Sequence, residues 1–403
     1  MFSYLMLYLF LSLSPALSLR VSYFQELTIG SKECKVLDYG CVGDGEHDDT
    51  SCIQSAIDTC GHAGGGKVEI PEGKTFLIKS LNLSYSHLEL NIMGTLLVSN
   101  DRKHWPGEHH IIEASGVTNI AITGSGMING QGLVWWQHRE DFRPHTVDFR
   151  DVKHALLSGV VFKDPPNHCL ELFADFTELA GVSVYAPPST GIDNPSHNTD
   201  AVDVHGTPFY IHDCYFDTGD DNIAAHANHT LVENSYFGNG HGASIGSLCS
   251  TVLTNITFRN LTFNGTTSGA RIKVTEGCSG RLSNVVYQGL HMTGVGTPLD
   301  VSMHYSSLKS AEKARDGLDL TAHTGFTIDG VTFQDIYSTN QHYDGSFICT
   351  DDSPCKNIIL KNITFDDKSS TEEWTCHNAK GCDCFVGTSG KANTVSPDPS
   401  SCL

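Results

Sequence analysis

Side chains able to move protons or hold charge fall into four short polar phrases in the middle of the chain: Asn198-Thr199-Asp200, Gly219-Asp220-Asp221-Asn222, Gly240-His241-Gly242 and Arg271-Ile272-Lys273. Asp200 and Asp220 are 20 residues apart and Asp220 and His241 are 21 apart. If each interval is one turn of a repeating structure, three carboxylates and an imidazole share a small patch of wall. Crowded carboxylates cannot all ionise easily, so one holds its proton to higher pH than another. That split pairs a general acid with a general base, which is what cleavage of a glycosidic bond by water requires. Arg271 and Lys273, two apart on a strand, point the same way. A planar guanidinium beside a point-like ammonium suits a substrate carboxylate.

The elements that position these groups follow from a recurring phrase in which Gly, Asn or Asp precedes apolar-x-apolar. It occurs at Gly159-Val-Val-Phe162, Gly181-Val-Ser-Val184, Asp213-Cys-Tyr-Phe216, Asn234-Ser-Tyr-Phe237, Asn260-Leu-Thr-Phe263, Gly289-Leu-His-Met292, Gly330-Val-Thr-Phe333 and Asn362-Ile-Thr-Phe365. Between the final apolar residues the intervals are 22, 32, 21, 26, 29, 41 and 32. Each phrase predicts a short strand entered through a sharp bend. A unit this small cannot bury its own apolar face, so the units must stack, one coil each, into an all-β parallel solenoid. An antiparallel sandwich would need long alternating strands and tight hairpins, which are scarce here. The intervals of 20 and 21 match the shortest coils, which sets Asp200, Asp220 and His241 on one face, coils being about 4.8 Å apart. A helix is predicted after Asp49, since Ile53, Ala56, Ile57 and Cys60 recur at helical spacing; it would cap the open end of the solenoid.

The apolar run Leu5 to Leu13 followed by Ala16-Leu17-Ser18 predicts a secretory signal over residues 1–18 and a mature chain of one domain over 19–403. Fourteen cysteines in an exported chain predict a disulfide framework; Cys382-x-Cys384 lacks the second pair that a zinc site needs. Six sequons, at Asn82, Asn228, Asn255, Asn260, Asn264 and Asn362, agree with export. The net charge of -21 argues against nucleic acid as partner and makes an anionic substrate depend on local cations. No stretch is read as membrane-spanning, no cofactor or metal is expected, and the chain is expected to act as a monomer.

Taken as an ordered set, the four phrases resemble those of the polygalacturonases of glycoside hydrolase family 28. The resemblance extends to Tyr39-Gly40-Cys41-Val42-Gly43-Asp44-Gly45, to Asp48-Asp49-Thr50 and to Ile122-Thr-Gly-Ser-Gly126, and covers nearly all of the mature chain. It implies a right-handed parallel β-helix that cleaves α-1,4-linked galacturonan with inversion and without a metal. Asp220 is then the general acid, Asp200 and Asp221 activate water, and His241 tunes the acid. Arg271 and Lys273 bind a galacturonate carboxylate, Asn198 supports the site, and Tyr305 stands at the cleft. The sequence departs from the family at Ala201, where glycine is usual, at Asn222, where cysteine is frequent, and over Ser306 to Gly325. The last departure leaves substrate subtype and cutting pattern open.

Each residue also has a plainer explanation. Aspartate and asparagine cap solenoid corners, Gly-His-Gly can be a solvated loop, Arg271 and Lys273 can be a solvated strand face, and Tyr305 can be packing. Gly64-Gly65-Gly66 reads as a turn, because no P-loop Lys-Ser/Thr follows. Trp135 and Trp136, placed on a strand, would face opposite ways, so at least one packs. His205, His212 and His226 show no ligand spacing. Rival functions are a hydrolase of a substituted pectin, a calcium-dependent lyase of the same polymer and a carbohydrate-binding solenoid without activity.

Overall fold

The computed structural model describes residues 27–187, 196–305, 325–366 and 375–380. The predicted signal segment, Ser306 to Thr324 and the cysteines at 382, 384 and 402 lie outside the described residues. Among the described residues, every strand pairing is parallel, and the strands form three sheets running the length of a β-helix. One edge of each coil joins the first sheet, from Lys32–Lys35 to residues 356–361. A second edge runs from Asp44–Asp48 to residues 363–366, and a third from Leu81–Asn82 to Thr375–His377.

The recurring phrase earns its form at the corners. All eight opening residues adopt a left-handed backbone, with φ between 51° at Asn260 and 81° at Gly330. Glycine reaches that region without a Cβ penalty, and Asn and Asp tolerate it best among the rest. Seven of the eight phrases lie on the second sheet, where Phe216, Phe237, Phe263 and Met292 stack in register. The eighth is misplaced by the sequence. Gly330-Val-Thr-Phe333 belongs to the first sheet, with Phe333 level with Tyr287, and the second-sheet segment of that coil is Asp335-Ile-Tyr-Ser338. The intervals counted as 41 and 32 are therefore 46 and 27, from Met292 to Ser338 to Phe365. Two corners of each coil use the same bend chemistry, and a buried serine in place of the large apolar residue hides the true one.

The N-terminal helix spans Thr50–His62 and buries Ile53, Ala56, Ile57 and Cys60, as its spacing predicts. It packs on the first coil, against Lys32–Lys35, Gly66–Ile70 and Leu81–Asn82. Asp49 stands at its N-cap but does not cap it through its side chain; both carboxylate oxygens accept instead from the backbone N–H groups of Val42 and Gly43. Cys34–Cys60 and Cys41–Cys52 fasten this end, Cys249–Cys278 ties two neighbouring coils, and Cys349–Cys355 closes a short loop. Cys169 and Cys214 stay reduced and buried, so they are core residues and not part of the framework. Trp135 and Trp136 lie in a short helix, Gly132–Trp136, and both are buried. Gly64 and Gly65 form the left-handed turn that ends the first helix.

Inside the tube, Phe258, Tyr287 and Phe333 stack with centroids 4.8 and 5.3 Å apart. The Tyr287 hydroxyl lies 3.2 Å from the Ala243 carbonyl and 3.1 Å from that of Arg271, so the core reaches the strands that carry the polar phrases. Tyr287→Phe keeps the stack and leaves those carbonyls one donor short, and should cost about 1 kcal/mol of unfolding free energy. Tyr287→Ala also opens a cavity and should cost about 3–5 kcal/mol. Urea denaturation of both variants checks this; equal losses would mean the hydroxyl, not the ring, is the main contribution.

Candidate active site

The third sheet presents one outward residue per coil in a continuous column: Glu113, Asp148, Glu171, Asp203, Ala224, Ser244, Arg271, Asp300 and Ser346 are register partners in that order. The catalytic candidates sit on this sheet or immediately before its strands. Its ladder pairs Asp203 with Ala224, and the Ala201 N–H donates to the Asp221 carbonyl at 2.9 Å. Continuing that register brings Asp221, not Asp220, level with Asp200.

Tight turns aim the carboxylates outward. A Cβ on Gly219 would meet the Ser196 carbonyl oxygen at 1.9 Å, so only glycine lets the Asp220-Asp221 turn seat on the coil before it. Gly242 has φ 81° and donates its N–H to Asn222 Oδ1. Asn222 Nδ2 in turn donates to the carbonyls of Phe216 and Gly238, so this fully buried amide locks the aspartate turn to the histidine turn. Ala201, also fully buried, fits without distortion of its backbone ladder.

The structure brings all eight candidate residues to this face of the tube. His241 Nδ1 is 3.0 Å from Asp220 Oδ1 and 3.8 Å from Asp221 Oδ1. Asp221 accepts from Ser244 Oγ at 2.7 Å and from Lys273 Nζ at 2.5 Å, and Arg271 Nη1 stands 3.8 Å away. Asn198, at φ 54°, donates its backbone N–H to Asp220 Oδ2, while its side-chain oxygen accepts from Arg143. The Tyr305 ring lies 5.7 Å from the Arg271 guanidinium and 5.4 Å from Lys273 Nζ, a cation–π contact with both.

The two outer aspartates differ in proton affinity. Burial pushes the Asp200 carboxyl well above the usual carboxylate range, opposed by His168 and reinforced by the charges of Asp220, Asp203 and Asp221. Burial also acts on Asp220, but the His241 hydrogen bond, with the charges of His241 and Lys273, outweighs it and holds this carboxyl low. Of the two, Asp200 therefore has the higher proton affinity, although the resemblance makes Asp220 the acid.

Several neighbours escape the sequence reading. Asp300 is the register partner of Arg271 and lies 3.5 Å from its Nε; adding the 29-residue coil interval to Arg271 would have found it. Ser244 follows by the same logic from the ladder before it. Arg143 donates to the carbonyls of Pro166 and His197, and no spacing signal marks it, because it reaches the site from an irregular segment. His168 touches Asp200 from the preceding coil.

Comparison with known proteins gives this arrangement a family. The family model described as glycosyl hydrolases family 28 matches residues 60–390. A protein of Arabidopsis thaliana named as a probable polygalacturonase is 29% identical over 377 residues, covering 89% of this chain and 80% of its own. An exopolygalacturonase structure from Thermotoga maritima superposes with a TM-score of 0.75 at 19% identity, covering 90% of this chain and 93% of that one. An endo-xylogalacturonan hydrolase structure from Aspergillus tubingensis gives 0.71 at 21% identity, covering 91% and 100%. These two likenesses concern the fold; the match of the family model, over most of the chain, shows that the protein belongs to glycosyl hydrolase family 28 and is a hydrolase of the polygalacturonase type.

Proposed function

We propose that the protein is a secreted enzyme that hydrolyses α-1,4-galacturonosyl linkages of pectin or polygalacturonate with inversion. The observation that carries this reading is the convergence of Arg271, Lys273 and Tyr305 beside three aspartates on one sheet. Two fixed cations with an aromatic ring suit a sugar that bears a carboxylate, and the adjacent aspartates suit acid and base. Disulfides at both ends of the tube support action in an oxidising, extracellular compartment.

Asp220 donates a proton to the leaving oxygen, and Asp200 with Asp221 directs the attacking water. Substrate binding itself shifts this balance toward Asp220. Lys273 is one of the groups that keep Asp220 ionised. A galacturonate carboxylate settling on Arg271 and Lys273 cancels part of that field, which raises the proton affinity of Asp220 as the sugar arrives. His241 then holds the carboxyl in position by its hydrogen bond. A lyase with calcium on these carboxylates is disfavoured, because a cation at Asp221 would have to displace the Lys273 ammonium. Relatives of this fold include an exopolygalacturonase and an endo-xylogalacturonan hydrolase, so the tube by itself leaves the cutting pattern and backbone substituents open.

Incubation with de-esterified polygalacturonate and a chelator should give saturated galacturonate fragments, and Asp220→Asn should lower the rate by about 10²–10⁴-fold. Unsaturated ends or a chelator-sensitive rate would favour the lyase, and no product from any pectin would favour a binding protein. Arg271→Lys keeps the charge but loses the planar fork, so kcat/KM on polygalacturonate should fall at least about tenfold. Activity within twofold of the native enzyme would remove Arg271 from the substrate site.

A further inference from the structure

Three successive coils of the third sheet begin with the same pair, an imidazole three residues before a carboxylate: His110 and Glu113, His145 and Asp148, His168 and Glu171. The next coil keeps the spacing with Asp200 and Asp203, so the aspartate of the site takes the rung that histidine holds on the three before it. The rings stack along the axis, with centroids 4.3 Å apart from His110 to His145 and 5.2 Å from His145 to His168. The stack ends on a carboxylate.

His168 is bracketed on both sides of its ring. Its Nδ1 is 3.2 Å from Glu171 Oε2 and 3.2 Å from Asp203 Oδ2, and its Nε2 is 3.5 Å from Asp200 Oδ1. Asp200 and Asp203 are each only 6% exposed, and Asp200 Oδ1 and Asp203 Oδ2 have no partner in hydrogen-bond geometry. The groups facing the imidazole are thus Asp200, Asp203 and Glu171, with the His145 ring against its face. His205 stands behind them, 3.4 Å from the other oxygen of Glu171, and Asp220 and Asp221 face Asp200 from the following coil.

We infer that His168 is a positioning residue for hydrolysis, an imidazolium anchored by Glu171 and Asp203 whose Nε2, 3.5 Å from Asp200, opposes protonation of that carboxylate and so favours the form that can receive a proton from water. The inference rests on the proposed role of Asp200 as base. A carboxylate buried among three others would otherwise keep its own proton and be idle as a base at acidic pH. Burial alone would discharge the imidazole, but Asp200, Asp203 and Glu171 outweigh it and hold its pKa well above that of free histidine. The ring therefore keeps its positive charge to higher pH than a free imidazole does. Removing the cation raises the proton affinity of Asp200 and moves the acid limb of the rate profile up in pH. Removing Asp203 does the reverse to both partners, since its charge raises both Asp200 and His168.

The test is the kcat/KM profile against pH on polygalacturonate, for the native enzyme, His168→Gln and Asp203→Asn. With His168→Gln the acid limb should move upward by about one unit, a tenfold lower kcat/KM on that limb. With Asp203→Asn the acid limb should move toward lower pH, a displacement opposite to that of His168→Gln that a merely loosened site does not produce. Imidazole ¹⁵N titration provides an arm that needs no substrate. One ring should remain protonated well above the free-histidine range, vanish in His168→Gln and titrate lower in Asp203→Asn. An ordinary titration of His168 would overturn the inference whatever the substrate. An active native enzyme whose acid limb is unmoved in His168→Gln would overturn it while leaving the proposed hydrolysis standing.

Discussion

The constraint on which the rest depends is the parallel hydrogen-bond ladder between coils, which fixes every side chain at about 4.8 Å from its counterpart above and below. Nothing in such a ladder can be spaced out to relieve a bad neighbour. Apolar positions benefit, since Phe149, Leu172, Val204, Ala225, Ile245, Ile272 and Val301 stack inside the third sheet as one continuous core. Polar positions on its outer side inherit the same spacing and must settle their charges within it. Two like charges about 5 Å apart cost ~3 kcal/mol at an effective dielectric near 20.

The outer column answers this cost locally. Upstream of the site, each carboxylate meets an imidazole or guanidinium: His145 and Arg150 at Asp148, and His168 and His205 at Glu171. Downstream the cations are fixed, with Arg271 between Asp221 and Asp300 and with Lys273 on Asp221. The three aspartates stand where one arrangement gives way to the other. That junction is why Asp200 and Asp220, chemically identical, are driven to opposite proton affinities.

Much of this was legible in the sequence because solenoid geometry turns sequence interval into distance. The eight bend residues, the helix over Ile53 to Cys60, and the gathering of Asp200, Asp220, Asp221, His241, Arg271 and Lys273 all follow from counting. Counting fails where one phrase serves two corners, as at Gly330, and where a polar residue occupies an inward position, as at Ser338. It also misses by one residue within the site, pairing Asp200 with Asp220 when the ladder sets it beside Asp221, since a 20- or 21-residue coil differs by less than an interval count resolves. Arg143 has no periodic signature at all; it enters from an irregular segment, and only the folded chain brings it to Asn198.

Burial makes these charges interdependent, and that has a consequence for how the site works. Lys273 is 6% exposed and Asp221 is 3% exposed, so neither is well solvated alone, and removing one leaves the other stranded at a cost of about 3–5 kcal/mol. Lys273 therefore has two tasks that cannot be separated, holding Asp221 and setting the field at Asp220. A substrate carboxylate that shares Lys273 with Asp221 changes that field without breaking the pair. If Asp220 is the acid, as we propose, the buried network that holds these groups makes its proton affinity responsive to a charged sugar, whereas a neutral sugar of the same shape would leave the field of Lys273 at Asp220 unchanged. In a chain of net charge -21, a response to further negative charge depends on cations held this firmly at one place, and the ladder holds them there.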